Sequence, residues 1–166
     1  MRESVQLGLS AALSDTRAVV LYDGKCNVCN AGVRFALYRT GPFEAKRVLF
    51  ASLQGEVARH LLGELAPRGT YAAGFYPGTG VPNTSYVLTG GAVHAKTDGS
   101  IALLALMGAG WPLLGWLLSL LPRAARDWGY DQFAAQRFRL FGGTDAVQPY
   151  PPAASGLFLD SIRLKS

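Results

Sequence analysis

Apolar positions along the chain fall into short runs whose spacing changes, and each spacing predicts an element. Residues 18–22 (AVVLY) form a continuous apolar run rich in β-branched side chains, the signature of a strand buried on both faces. After it, Val33, Phe35, Ala36, Leu37 and Tyr38 fit a helix, which Gly41-Pro42 should stop. Residues 48–53 (VLFASL) predict a second buried strand, and 54–65 (QGEVARHLLGEL) a helix with a polar outer face that ends before Pro67. Residues 66–83 are dense in Gly and Pro and predict a long, mostly irregular segment of the kind that covers a site. In 84–99 (TSYVLTGGAVHAKTDG), two β-rich segments flank Gly90-Gly91, which predicts a tight hairpin.

The last third has helical spacing, with segments expected at 101–108, at 111–121 and at 123–140, the last opened by Pro122. Residues 101–121 (IALLALMGAGWPLLGWLLSLL) carry no charge and are long enough to span a bilayer. GAGWP at 108–112 interrupts them, so the expectation is two short helices packed on the sheet, with Trp111 and Trp116 in the core. Contact with a membrane surface or a protein partner is the other reading of this segment. The tail from Gly142, with QPYPP at 148–152, should be irregular. Two βα units, a hairpin and covering helices predict an α/β domain with a mixed sheet of about four strands.

Composition changes this picture little. With 166 residues, 49% hydrophobic and 16% charged, the chain has material for one core. The net charge of +5 comes from scattered Lys and Arg without a basic run, so specific nucleic-acid binding is not expected. Residues 1–20 do not have the build of a secretory signal, and the expected compartment is the cytoplasm.

The candidate chemistry lies in YDGKCNVCN at 22–30, which holds both cysteines, Cys26 and Cys29. They follow a strand and open a helix, where unpaired N–H groups and the helix dipole favour a thiolate. Cys26 is placed to receive that help and Cys29 lies one turn further, so Cys29 should be the more buried and less acidic of the two. Lys25 would add modest electrostatic support. The same spacing suits a zinc site, which His60 and His94 would have to complete, although they are far apart in sequence. A binding module with inert thiols is a third reading.

DGKCNVC at 23–29, together with FASLQ at 50–54 and LPRAARDWGYDQFAAQRFRLFG at 121–142, resembles the DCC family, also called DUF393 or YuxK-like. The resemblance implies a thioredoxin-like fold and thiol-disulfide oxidoreductase activity without a cofactor or metal. It also implies a disulfide-containing substrate and a dithiol electron donor as partners. It covers about 18–150, leaving 1–17 as an N-terminal extension and 151–166 as a C-terminal tail. Cys26 becomes the expected attacking thiol and Cys29 the resolving one. Asp23 joins them as a helix cap or proton acceptor, while Gly24, Lys25, Pro82 and Arg137 are the expected substrate-binding residues. Arg137 has the alternative of pairing with an acidic neighbour. Two features depart from the family pattern: GGTDAV at 142–147 lacks the further cysteine that many members have there, and Pro82 is the sole candidate for a cis-proline beside the thiols.

Overall fold

The computed structural model describes residues 16–39 and 48–161. The helix stop at Gly41-Pro42, nearly all of the N-terminal extension and the last residues of the tail lie outside the described residues.

Strand β1 (Ala18–Tyr22) is buried along its whole length. It pairs in parallel with β2 (Val48–Ser52), from Ala18 opposite Val48 to Tyr22 opposite Ser52. On its other side it pairs antiparallel with β3 (Tyr86–Thr89), which pairs antiparallel with β4 (Ala92–Ala95). The order β2-β1-β3-β4 makes a mixed, open four-stranded sheet. Alternate β1 side chains serve two cores. Ala18, Val20 and Tyr22 pack with Phe50, Val87 and helix α1 (Asn27–Arg39), whereas Val19 and Leu21 pack with Leu61 and Leu62 of α2 (Glu56–Leu65). Burial on both faces is why AVVLY is apolar without alternation.

The Gly-rich segment contains one short helix, α3 (Thr70–Ala73), and is otherwise irregular. Gly90 and Gly91, with φ of 54° and 81°, make the predicted hairpin turn. Helix α4 (Lys96–Leu106) starts earlier than its apolar spacing suggests, because KTDG opens the helix instead of extending β4. Gly99 permits this, since a Cβ there would sit 3.0 Å from the His94 carbonyl oxygen. The predicted bend is present: Ala109 and Gly110 both take positive φ before α5 (Trp111–Ser119). Among the described residues, no helix is long and apolar enough to cross a membrane.

The expectation that Trp111 and Trp116 both lie in the core holds for Trp111, which packs against it, and is corrected for Trp116. Gly115 of α5 lies buried against Ile101 and Leu104, and Trp111 packs edge-on to Phe35 with centroids 5.2 Å apart. Trp116, however, is 57% exposed. The glycine brings α5 close to α4 and turns Trp116 and the leucines opposite it outward.

Helix α6 (Arg123–Phe141) follows, and the chain after it is more ordered than expected. Two 3₁₀ turns, Pro152–Leu157 and Leu159–Ser161, bring Leu157, Phe158 and Leu159 into the core. Phe158 bridges to Phe50 of β2 and its ring stacks on Tyr150 at 4.6 Å. Three apolar residues in a Pro-rich stretch have no period to announce them. Phe158→Ala should lower stability by about 3–5 kcal/mol, as for other buried aromatic truncations, and urea denaturation monitored by circular dichroism checks this.

Candidate active site

The site is built where β1 runs out. The parallel β1–β2 pair ends at Tyr22 and Ser52, and the chain then turns through Asp23-Gly24-Lys25 into α1. Gly24 is required by close approach: a Cβ would lie 2.7 Å from Ser52 Oγ and 2.7 Å from Val147 Cγ1. Cys26 stands at the N-cap of α1, and its Sγ accepts the Cys29 backbone N–H at 3.3 Å. Cys29 also donates its S–H to Cys26 Sγ across 2.7 Å, and both thiols are free.

These contacts separate the two acidities. The Cys29 thiol proton, then the Cys29 backbone N–H and the Arg137 charge, hold the Cys26 thiol down at about 6 against burial and Asp23. The same S–H bond, burial and the charge on Cys26 push the Cys29 thiol far up. The order of acidity agrees with the sequence reading, but the burial does not. Cys26 is fully buried and Cys29 is half-buried.

The cover over Cys26 is the segment after α6. Cys26 forms an antiparallel bridge with Gly143. Asn27 N–H donates to the Gly142 carbonyl at 3.3 Å, Thr144 N–H to the Lys25 carbonyl at 2.9 Å, and Gln148 N–H to the Gly24 carbonyl at 2.9 Å. Gln148 Nε2 adds an exposed bond to Asn27 Oδ1 at 2.7 Å. Gly143 fits because a Cβ would meet the Phe138 ring at 2.5 Å.

Asp23 does not cap α1, whose N-cap role Cys26 takes instead. Its buried carboxylate accepts the Lys25 N–H at 3.1 Å and Gln54 Nε2 at 2.6 Å on one oxygen, and Arg137 at 2.7 Å on the other. Arg137, also buried, donates further to the Pro82 carbonyl at 2.5 Å and the Ala134 carbonyl at 3.1 Å. Burial works against its charge, but Asp23 and the two sulfurs hold it protonated. Gly24, Pro82 and Arg137, expected as substrate contacts, are buried: the Gly24 N–H, the Pro82 carbonyl and the two terminal nitrogens of Arg137 bond within the protein, Arg137 Nε has no hydrogen-bond partner among the described residues, and Lys25 is half-buried. Among the described residues there is no cis peptide bond, so Pro82 is trans.

Asn30, Gln54 and Gln148 had no role assigned from sequence. Asn30 Nδ2 donates to the Gly24 and Cys26 carbonyls, and Gln54 Oε1 accepts the Gly24 N–H, so both hold the CxxC turn. The local signal for Gln54 is that it is the polar residue directly after the apolar run 48–53. His94 bonds Thr89 through Nε2. Among the described residues, no three His, Cys, Asp or Glu side chains gather as a metal site would require.

A CxxC at the end of an inner strand of a β2-β1-β3-β4 sheet, its first sulfur capping the following helix, defines a thioredoxin-like dithiol domain. Residues 20–143 match the DCC1-like thiol-disulfide oxidoreductase family, and the chain belongs to that family. It is 25% identical over 134 residues to a chloroplastic DCC family protein of Arabidopsis thaliana, covering 81% of this chain and 70% of that one. It is 26% identical over 145 residues to YuxK of Bacillus subtilis, covering 85% and 93%. No solved structure matches the chain.

Arg137→Leu leaves the Asp23 carboxylate buried without its cation. It should cost about 3–5 kcal/mol in urea denaturation. It should also move the Cys26 titration above about 6, read from thiolate absorbance against pH. Gln148→Ala removes one exposed bond holding the cover. It should speed Cys26 alkylation about 2- to 10-fold, with the titration midpoint unchanged.

Proposed function

We propose that the protein is a dithiol-disulfide oxidoreductase in which Cys26 attacks and Cys29 resolves. The observation that carries this reading is that Cys26 Sγ accepts two hydrogen bonds, from the Cys29 thiol and from its backbone N–H. With its acidity at about 6, Cys26 is predominantly thiolate at neutral pH. The cover at 142–148 lifts to admit a substrate sulfur to Cys26.

In the first step, the Cys26 thiolate attacks one sulfur of a substrate disulfide. A Cys26–substrate disulfide forms, the substrate S–S bond breaks, and one substrate thiolate leaves. Cys26 has then lost its charge and its ability to hold the Cys29 proton, so the largest cause that raises Cys29 and the repulsion from the Cys26 charge disappear, and burial alone of the three remains. Cys29 gives up its proton to the departing thiolate and attacks Cys26 Sγ. A Cys26–Cys29 bond forms, and the second substrate thiolate leaves and takes a proton from water. Two electrons pass from the protein dithiol to the substrate, and an external dithiol donor restores the reduced pair. The cycle needs no cofactor. Asp23 and Arg137 balance charge behind the sulfurs and orient the turn.

The test separates the two cysteines. Cys29→Ala should accumulate a Cys26–substrate mixed disulfide, and its Cys26 midpoint should rise because the largest stabilising contact is gone. Cys26→Ser should trap nothing and lose disulfide reduction. Reductase activity equal to wild type in either variant would exclude the mechanism. Alkylation of the wild-type protein should rise as pH passes through about 6, as the reactive form is the deprotonated one.

A further inference from the structure

Helix α5 leaves a surface that the redox chemistry does not use. Leu113, Leu114, Trp116, Leu117, Leu120 and Leu121, on the helix and the two residues after it, are between 41% and 62% exposed. At about 100° per residue they share an arc of roughly 160°, opposite buried Gly115. The outward face is therefore a continuous apolar strip standing on the domain.

What the strip lacks identifies its occupant. A protein–protein interface takes about one hydrogen bond per 100–200 Å² from its polar groups. Here the hydroxyl of Ser119 is turned back to the Trp116 carbonyl at 2.6 Å. No side chain between 101 and 121 carries a charge. A strip of leucines around a tryptophan suits the boundary between headgroups and acyl chains, which asks for apolar area and no matching polar rim.

Charge selects the kind of bilayer. The acidic residues nearest the strip in sequence are Asp98 before it and Asp127 after it. Asp98 pairs with Arg123 at 3.2 Å and Arg126 at 3.0 Å, and Asp127 pairs with Arg123 at 3.5 Å. Neither presents an uncompensated charge to phosphate, and the whole chain carries +5. We infer that α5 docks the domain on an anionic lipid surface, lying in the interface with this strip inserted.

Vesicle flotation with the full chain tests the inference, using phosphatidylcholine vesicles with and without phosphatidylglycerol. The wild-type protein should float with the anionic vesicles and less with the neutral ones. Leu113→Gln/Leu117→Gln/Leu120→Gln should reduce partitioning about tenfold or more. These side chains are exposed, so circular dichroism and Cys26 alkylation should stay as in wild type, which keeps this test separate from that of the dithiol mechanism. Failure of the wild-type protein to float overturns the proposal, as does undiminished flotation of the triple variant. If the wild-type protein ignores vesicles but forms a dimer that the triple variant abolishes, the strip is a contact between copies and the lipid assignment is wrong.

Discussion

The buried ion pair between Asp23 and Arg137 is the contact on which the site depends. At 2.7 Å, with both side chains almost wholly out of solvent, it joins the end of β1 to α6. Arg137 passes the connection on to the Pro82 carbonyl. One guanidinium thus ties together the CxxC turn, the last long helix and the Gly-rich loop. Such a pair adds little net stability compared with well-packed apolar residues, yet breaking half of it is expensive. It fixes a geometry more than it lowers an energy. Both charges also act on the sulfurs: Arg137 lowers the pKa of both thiols and Asp23 raises it. The larger difference between the thiols comes from the proton and N–H that Cys29 offers to Cys26.

Features with a local cause could be read from the sequence. AVVLY, VLFAS, the hairpin glycines and the bend before Trp111 each carry their own pattern, and they define the sheet. The CxxC turn was legible for the same reason, since strand end and helix start are adjacent in the chain. Arg137 was visible as a site residue, but its partner was not, because two residues 114 apart leave no periodic trace.

The misread features are long-range ones. Hydrophobicity told that α5 is apolar but not which side it would turn outward, and the small Gly115 decided that. Helix position suggested that Cys26 would be the more open thiol. The Gly143 bridge, contributed from the far end of α6, reversed the order. Leu157-Phe158-Leu159 looked like tail because a short apolar triplet becomes core only where a sheet edge waits for it, here beside Phe50.

The closure of the thiol turn by residues 142–148 has a consequence for synthesis. The cysteines emerge from the ribosome long before the segment that covers them, and Asp23 precedes its arginine by 114 residues. During elongation the nascent chain carries an open dithiol with neither its counter-charge nor its cover. Domains fold as units while translation proceeds at about 5–20 residues per second, so this window lasts several seconds. The tuned, shielded thiolate is a property that the chain acquires only late in its synthesis.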